Sequence, residues 1–173
     1  MRWLVLAIFT LCACTKIEDA VSGAPQQLRS SDGSLEITVP GSWKVDKLND
    51  QATIQAANRM SELYVIVLSE SKEDFTDMTL QKYSEATRSQ QLKSMKNGAE
   101  EGPTARTLNG LPAVEYVLRG SVDGANVVMK HVAVEGTKRF HQVLVWTLKS
   151  KWDAEQATLD AVVASLKETS GKP

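Results

Sequence analysis

The sequence predicts an α+β fold in which an antiparallel β-sheet is packed by helices, and three observations predict it. Strand-type patterning comes first, then one helical pattern, then three meandering strands and a final helical stripe. That order segregates helices from strands and lacks the alternation of parallel β–α–β units. Val122-Asp123-Gly124-Ala125 is a two-residue hairpin signal. Aligned from that turn and from Glu135-Gly136-Thr137-Lys138, the last three strands place Val114, Tyr116, Leu118, Met129, Ala133, Phe140, Leu144 and Trp146 on one face. Two turns read independently agree on one apolar set, which argues for the register.

The chain opens with Arg2, the apolar run Trp3 to Phe9, and Leu11-Cys12-Ala13-Cys14. A charged start, a short apolar middle and a small residue before a cut make up the layout of a secretory signal peptide. The uncharged run from Trp3 to Thr15 is shorter than the roughly 20 apolar residues a membrane-spanning helix needs. Leu11-Cys12-Ala13-Cys14 resembles the lipobox of bacterial lipoproteins. The resemblance implies that Cys14 carries a thioether-linked diacylglycerol, that the chain is cut just before it, and that the new amino group is acylated. Attachment would then rest on acyl chains, each contributing about 0.8 kcal/mol per buried methylene. Thr15, not aspartate, follows the cysteine; by the sorting pattern of such lipoproteins this implies the outer membrane, facing the periplasm.

These readings divide the chain into residues 1–13, a signal peptide; 14–31, the lipidated cysteine and a flexible tether; 32–168, a single globular domain; and 169–173, a disordered tail. The tether is polar and small around Ser22-Gly23-Ala24-Pro25-Gln26-Gln27 and lacks the apolar content for a core. Cys12 would leave with the signal, so the mature domain has no disulfide. Removing thirteen of 173 residues leaves 160, enough for one domain with its own core. The charge balance of 20 basic against 21 acidic residues provides no surplus to neutralise phosphates, which excludes nucleic acid as a partner.

Within the domain, Asp32-Gly33 is a turn signal, and Leu35, Ile37 and Val39 alternate with Glu36 and Thr38 as a half-buried strand. Pro40-Gly41 ends it, and Trp43 follows. A second strand is expected near Ala52 to Ala57. Leu63 to Leu68 is apolar throughout and reads as a strand covered on both faces. A helix is expected over Thr79 to Lys96, with Leu80, Tyr83, Ala86 and Met95 near one face and Asn97-Gly98 as its stop. Gly102-Pro103 and Asn109-Gly110 punctuate the next connection, around a short strand at Ala105 to Leu108. The last helix starts near Ser150, where Ser150 and Asp153 resemble a capping box. Leu159, Val162, Val163 and Leu166 form its i, i+3, i+4, i+7 stripe.

Gly33-Ser34-Leu35-Glu36-Ile37-Thr38-Val39-Pro40-Gly41-Ser42-Trp43 is similar to the opening "strand, Pro, Gly, Trp" of PsbP-like domains. The order of elements is also similar, as is Asn109-Gly110-Leu111-Pro112-Ala113 before the long hairpin. The resemblance spans roughly Asp32 to Glu168 and implies an α/β/α sandwich. It implies a style of function as well, because its members mostly bind or stabilise partners and share no catalytic centre.

Motifs for hydrolysis, zinc proteolysis, phosphate cradling or dithiol chemistry are absent from the sequence. The acidic stretch Glu70, Glu73, Asp74, Asp77 lacks the ligand spacing of a calcium loop and reads as a solvated charge run. His131 and His141 fall on opposite faces in the register above, so no metal site and no cofactor is expected. Tyr116, His131 and Gln142, by contrast, fall in one row across three strands, about 5 Å apart. Polar groups inside an apolar face satisfy one another or a ligand. The row is therefore either a buried network that fixes the register or the lining of a pocket between sheet and helix. Trp43 is expected to cap the core. The expected function is that of a non-enzymatic, lipid-anchored envelope protein that binds a partner as an accessory or assembly factor. The alternative is a small-molecule or lipid carrier using the sheet-to-helix pocket.

Overall fold

A computed structural model describes residues 23–170; the signal peptide, Cys14 and the first part of the tether lie outside the described residues, as do residues 171–173. Strands β1 (Gln26–Arg29), β2 (Leu35–Val39), β3 (Ile54–Asn58) and β4 (Leu63–Ser71) come first, followed by helix α1 (Leu80–Lys93). The meander β5 (Lys96–Leu108), β6 (Leu111–Val122), β7 (Ala125–Glu135) and β8 (Arg139–Leu148) leads to α2 (Trp152–Ala164) and the short β9 (Lys167–Glu168). A six-stranded sheet runs β3-β4-β8-β7-β6-β5, and a smaller sheet runs β1-β2-β9. Every pairing in both is antiparallel. The α+β class read from the sequence is the one the chain forms.

The stripe on α2 explains how the layers meet. Leu159, Val162, Val163 and Leu166 are each at most 1% exposed. They pack with Val65, Val67, Val132, Val143 and Val145 of the large sheet and Leu35, Ile37 and Val39 of the small one. Burying a Leu or Val side chain contributes about 1.5–3 kcal/mol, so this layer holds most of the apolar stabilisation. Trp43 is 1% exposed within the same cluster, in the core as expected. The opposite face of the large sheet carries α1, whose Tyr83 stacks on Phe140 at 4.7 Å. The hairpin signal at Asp123-Gly124 also holds: Val122 pairs with Ala125, and both turn residues have positive φ.

Five expectations need correction. Gln26–Arg29, assigned to the tether, form β1, which pairs with β2 along its whole length. A polar strand at a sheet edge has too little alternation to be read from sequence. Thr169, assigned to the disordered tail, donates its N–H to the Ser34 carbonyl at 2.9 Å. β5 runs straight through Gly102-Pro103 as an edge strand, absorbing them at a register shift between Glu101 and Thr104. Proline, glycine and charge are tolerated there because the outer side of an edge strand needs no partner. Helix α1 stops at Lys93 and leaves Ala86 exposed, burying Ser84 and Thr87 instead. α2 is preceded by a 3₁₀ turn at Lys149–Lys151 and has no side-chain cap.

Candidate functional site

Helix α1 lies over β5, β6 and β7 and reaches β8, so that Phe140, Gln142 and Leu144 of β8 and Ile66 of β4 are buried on that face while Tyr64, Leu68 and Glu70 of β4 and Trp146 of β8 keep some exposure. The partly exposed strip is a trough. Its floor is Tyr64, Ile66 and Leu68 of β4 against Trp146, Leu144 and Gln142 of β8, paired in that order, with Glu70 at one end. One wall is the flank of α1, with Thr87, Gln90 and Gln91, continued by Ser94 and Met95. The other wall is the loop before β3. Gln55 of β3 accepts hydrogen bonds from the Leu48 and Asn49 backbone N–H groups at 2.7 and 2.9 Å, which holds Asn49 and Gln51 over the trough's edge. Two adjoining cavities of about 370 and 330 Å³ make up the trough, and Gln91 lines both.

The two ends differ in chemistry. At one, Tyr64 and Trp146 stack at 5.1 Å, with Met129 and Leu148 beside them. The Tyr64 hydroxyl donates to Glu62 Oε2 at 2.5 Å; burial and that carboxylate push its pKa up to about 12. At the other end, Tyr83 donates to Glu70 Oε2 at 2.6 Å. Burial, then the Glu70 bond, raises the Tyr83 pKa, so its hydroxyl stays a donor. Among the described residues, those lining the two cavities include Glu62 and Glu70 and neither lysine nor arginine, with Arg59 and Lys72 standing just outside the two ends.

Tyr116, His131 and Gln142 share this face, but the structure does not bring them into one row. Tyr116 pairs with His131 as expected. The β7–β8 register, however, is two residues away from the expected one: His131 pairs with Leu144, and Gln142 with Ala133. The turn is centred on Thr137-Lys138, with Gly136 N–H donated to the Arg139 carbonyl at 2.9 Å. The cause is tertiary. Glu168 accepts the Thr137 N–H at 3.0 Å and its hydroxyl at 2.7 Å. A Cβ on Gly136 would stand 2.2 Å from the same carboxylate. A shift of two keeps every side chain on its face, so the apolar set stayed correct while the row broke.

Each member of the row then finds its own partner. The His131 imidazole is 0% exposed. Its Nε2 lies 3.0 Å from Thr87 Oγ1, whose hydroxyl is donated to the Tyr83 carbonyl at 2.8 Å. Nε2 therefore carries the proton. Burial lowers the His131 pKa to about 4, so the ring is neutral near pH 7. Tyr116 lies beneath the Arg88 guanidinium, 5.1 Å from its ring centre. Gln142 donates to the Tyr83 hydroxyl at 3.3 Å and to Glu70 at 3.4 Å. Of the three, Gln142 lines the trough, while Tyr116 and His131 lie under α1.

The other histidine joins a serine and a carboxylate that sequence spacing gave no means of linking. His141 Nδ1 lies 2.8 Å from Ser69 Oγ, and its Nε2 lies 3.2 Å from Glu168 Oε1. Burial lowers the His141 pKa. Burial alone would raise the Glu168 carboxyl, but the Thr137 N–H, the Thr137 hydroxyl and His141 hold it below its ordinary value. His141, itself buried, and Glu168 line a cavity of about 460 Å³ with Asp32 and Arg139, and Ser69 is not in its wall. The relay Ser69–His141–Glu168 ties β9 and the β7–β8 turn to β4. The two histidines point to opposite faces of the sheet, as the sequence register implied. Among the described residues, no group of three or more His, Cys, Asp or Glu is placed to hold a metal ion. No described helix is long and apolar enough to cross a membrane.

No family model matches the chain, and no curated protein matches it in sequence. Solved structures do match. The chain superimposes on LpqN of Mycobacterium tuberculosis, described as involved in cell envelope biogenesis, with a TM-score of 0.62 at 14% identity, over 84% of this chain and 91% of that one. Cyanobacterial PsbP from Synechocystis matches with a TM-score of 0.59 at 13% identity, over 92% and 99% of the two chains. The fold is PsbP-like. The same PsbP-like architecture relates it to the Ran-binding protein Mog1p of Saccharomyces cerevisiae, with a TM-score of 0.55 at 12% identity over 83% and 95%. At these identities the likeness is one of fold.

Proposed function

We propose that this is a lipid-anchored envelope protein, attached through acylated Cys14 to the outer membrane and facing the periplasm, that holds a protein partner near the membrane without catalysis. The observation that carries this reading is the trough floor. Tyr64, Leu68, Met129, Trp146 and Leu148 stay partly exposed together on one sheet face. Tyrosine, tryptophan and methionine are the residues enriched where proteins bind one another. Fold neighbours described as taking part in envelope biogenesis and in Ran binding support a binding role over a catalytic one. The carrier reading calls for a cavity lined by Tyr116, His131 and Gln142, and the first two lie beneath α1. The open strip favours a macromolecular partner.

The test is crosslinking in intact envelopes followed by affinity purification and mass spectrometry, with Cys14→Ser as the control. A near-stoichiometric protein partner, lost when Cys14→Ser abolishes anchoring, is the expected result. Recovery of abundant bystanders alone, or unchanged membrane attachment of Cys14→Ser, would sink the reading.

A further inference from the structure

Two large apolar side chains stand in open solvent among the described residues: Val45, 73% exposed, and Met60, 94% exposed. Placed singly, such side chains need no explanation. These two are tied together. Val45 adjoins Asp46 and Met60 adjoins Arg59, and Arg59 Nε donates to Asp46 Oδ2 at 2.5 Å. Lys44 and Ala57 exchange backbone hydrogen bonds at 2.8 and 2.9 Å, and Asn58 Nδ2 donates to Ser42 Oγ at 3.3 Å. The segment after β2 and the β3–β4 turn are thus clamped into one tip beside β3, the outermost strand on that side of the large sheet.

The described chain begins beside the same tip. A Cβ on Gly23 would stand 3.6 Å from the Gly41 Cα, and Gln26 Nε2 donates to the Trp43 carbonyl at 2.6 Å. Cys14 stands nine residues before Gly23, a reach of at most about 30 Å. We propose that this tip rests on the lipid bilayer, with Val45 and Met60 entering its interface, so that tip and acylated Cys14 together set how the domain stands on the membrane; this rests on the reading of Cys14 as the anchor.

Charge decides the mode of contact. Residues 44–62 carry Lys44, Lys47 and Arg59 against Asp46, Asp50 and Glu62, which cancel. Asp46 is held by Arg59, Asp50 by Lys47 at 2.7 Å, and Glu62 takes the Tyr64 hydroxyl. A tip without net charge is neither drawn to anionic headgroups nor driven from them, so apolar burial carries the contact. Two side chains would not hold a free protein on a bilayer. Joined to an anchor, the contact becomes intramolecular, and a weak one suffices to orient the domain. Ala57 bridges Lys44 on one side and pairs with Tyr64 on the other. The contact therefore turns the Tyr64 end of the trough towards the membrane and the Glu70 end away from it.

The experiment uses the full lipidated chain reconstituted in vesicles of phosphatidylethanolamine and phosphatidylglycerol. Cys12 leaves with the signal and Cys14 is alkylated, so Val45→Cys or Met60→Cys supplies the lone free thiol for a nitrobenzoxadiazole dye. Ala99→Cys and Lys138→Cys, both at exposed positions, are the controls. Dye at positions 45 and 60 should shift to shorter wavelength and lose emission to nitroxide-bearing phospholipid, while dye at 99 and 138 does neither. The same result is expected in phosphatidylcholine vesicles and in about 1 M salt, where charge is screened beyond about 3 Å. Because the dye is itself apolar, Val45→Cys is also read in a Met60→Asp chain, where quenching should fall to the control level with sedimentation unchanged. Undiminished quenching there, equal quenching at the control positions, or a signal lost in phosphatidylcholine or in salt would overturn the proposal. Protein that sediments with the vesicles but shows no response at 45 and 60 would remove the tip contact and leave the anchor standing. Protein that fails to sediment would remove both.

Discussion

On one face of the six-stranded sheet, Val132, Val143 and Val145 lie against Leu159, Val162 and Val163, and none is more than 1% exposed. On the other, Tyr64, Met129 and Trp146 remain partly exposed beside a helix that buries Ser84 and Thr87 among its few covered residues. One β-branched aliphatic layer is closed by a full apolar stripe. The other face carries aromatic and methionine side chains, hydroxyls and a buried histidine, and is only partly covered. Stability and recognition thus fall to different faces: the centre of the first is fully buried against α2, whereas the second keeps partly exposed aromatic and methionine side chains that folding did not consume.

The largest effect that sharpens this contrast is on the closed face. Leu159→Ala removes a fully buried side chain from the α2 stripe, and such truncations cost about 2–5 kcal/mol. Urea unfolding of the purified domain should show a loss in that range, while crosslinking of whatever folded protein remains should be unaltered. A loss below about 1 kcal/mol would mean that the closed face is not where the fold is held.

A second effect belongs to the α1 face. His131 has its pKa lowered to about 4 by burial, against about 6.5 in an unfolded chain. Above pH 6.5 both states are neutral and the residue contributes no pH dependence. As pH falls from 6.5 towards 4, the unfolded chain binds a proton that the folded chain refuses, so stability falls, by roughly 2–3 kcal/mol over the window. His141, also lowered by burial, adds loss of the same sign. His131→Leu should flatten the curve between pH 6.5 and 4.5 and leave the His141 part; a slope unchanged from the parent would show that His131 is not held neutral beneath α1.

How much of this was legible in the sequence follows from where each signal is stored. The α2 stripe and the Asp123-Gly124 turn are local patterns, and both were read correctly. The β7–β8 register is not local: Glu168, some thirty residues on, takes the Thr137 N–H and moves the turn by two residues. Only the face, which depends on parity, survived. Gln26–Arg29 and the glycine, proline and glutamates of β5 carry no strand signature, because edge strands are chosen for what they do not attract. Gln142 lines the trough, whereas the trough as a whole was invisible. Leu63–Leu68 reads as covered on both faces, and whether it is depends on where α1 comes to rest on the sheet.

The smallest effect on stability is expected to be the largest on recognition. Trp146 stacks on Tyr64 at 5.1 Å and is partly exposed, so Trp146→Ala forfeits an aromatic pairing worth about 0.5–1.5 kcal/mol and part of its packing. A buried tryptophan would cost about 3–5 kcal/mol on the same change. The folded population of Trp146→Ala should therefore stay close to that of the parent, while partner capture, read by crosslinking in intact envelopes, is lost. Capture unchanged in Trp146→Ala would mean that the exposed aromatic strip is not where the partner docks. A stability loss near that of Leu159→Ala would mean that this face is as closed as the other, and the contrast between them would disappear.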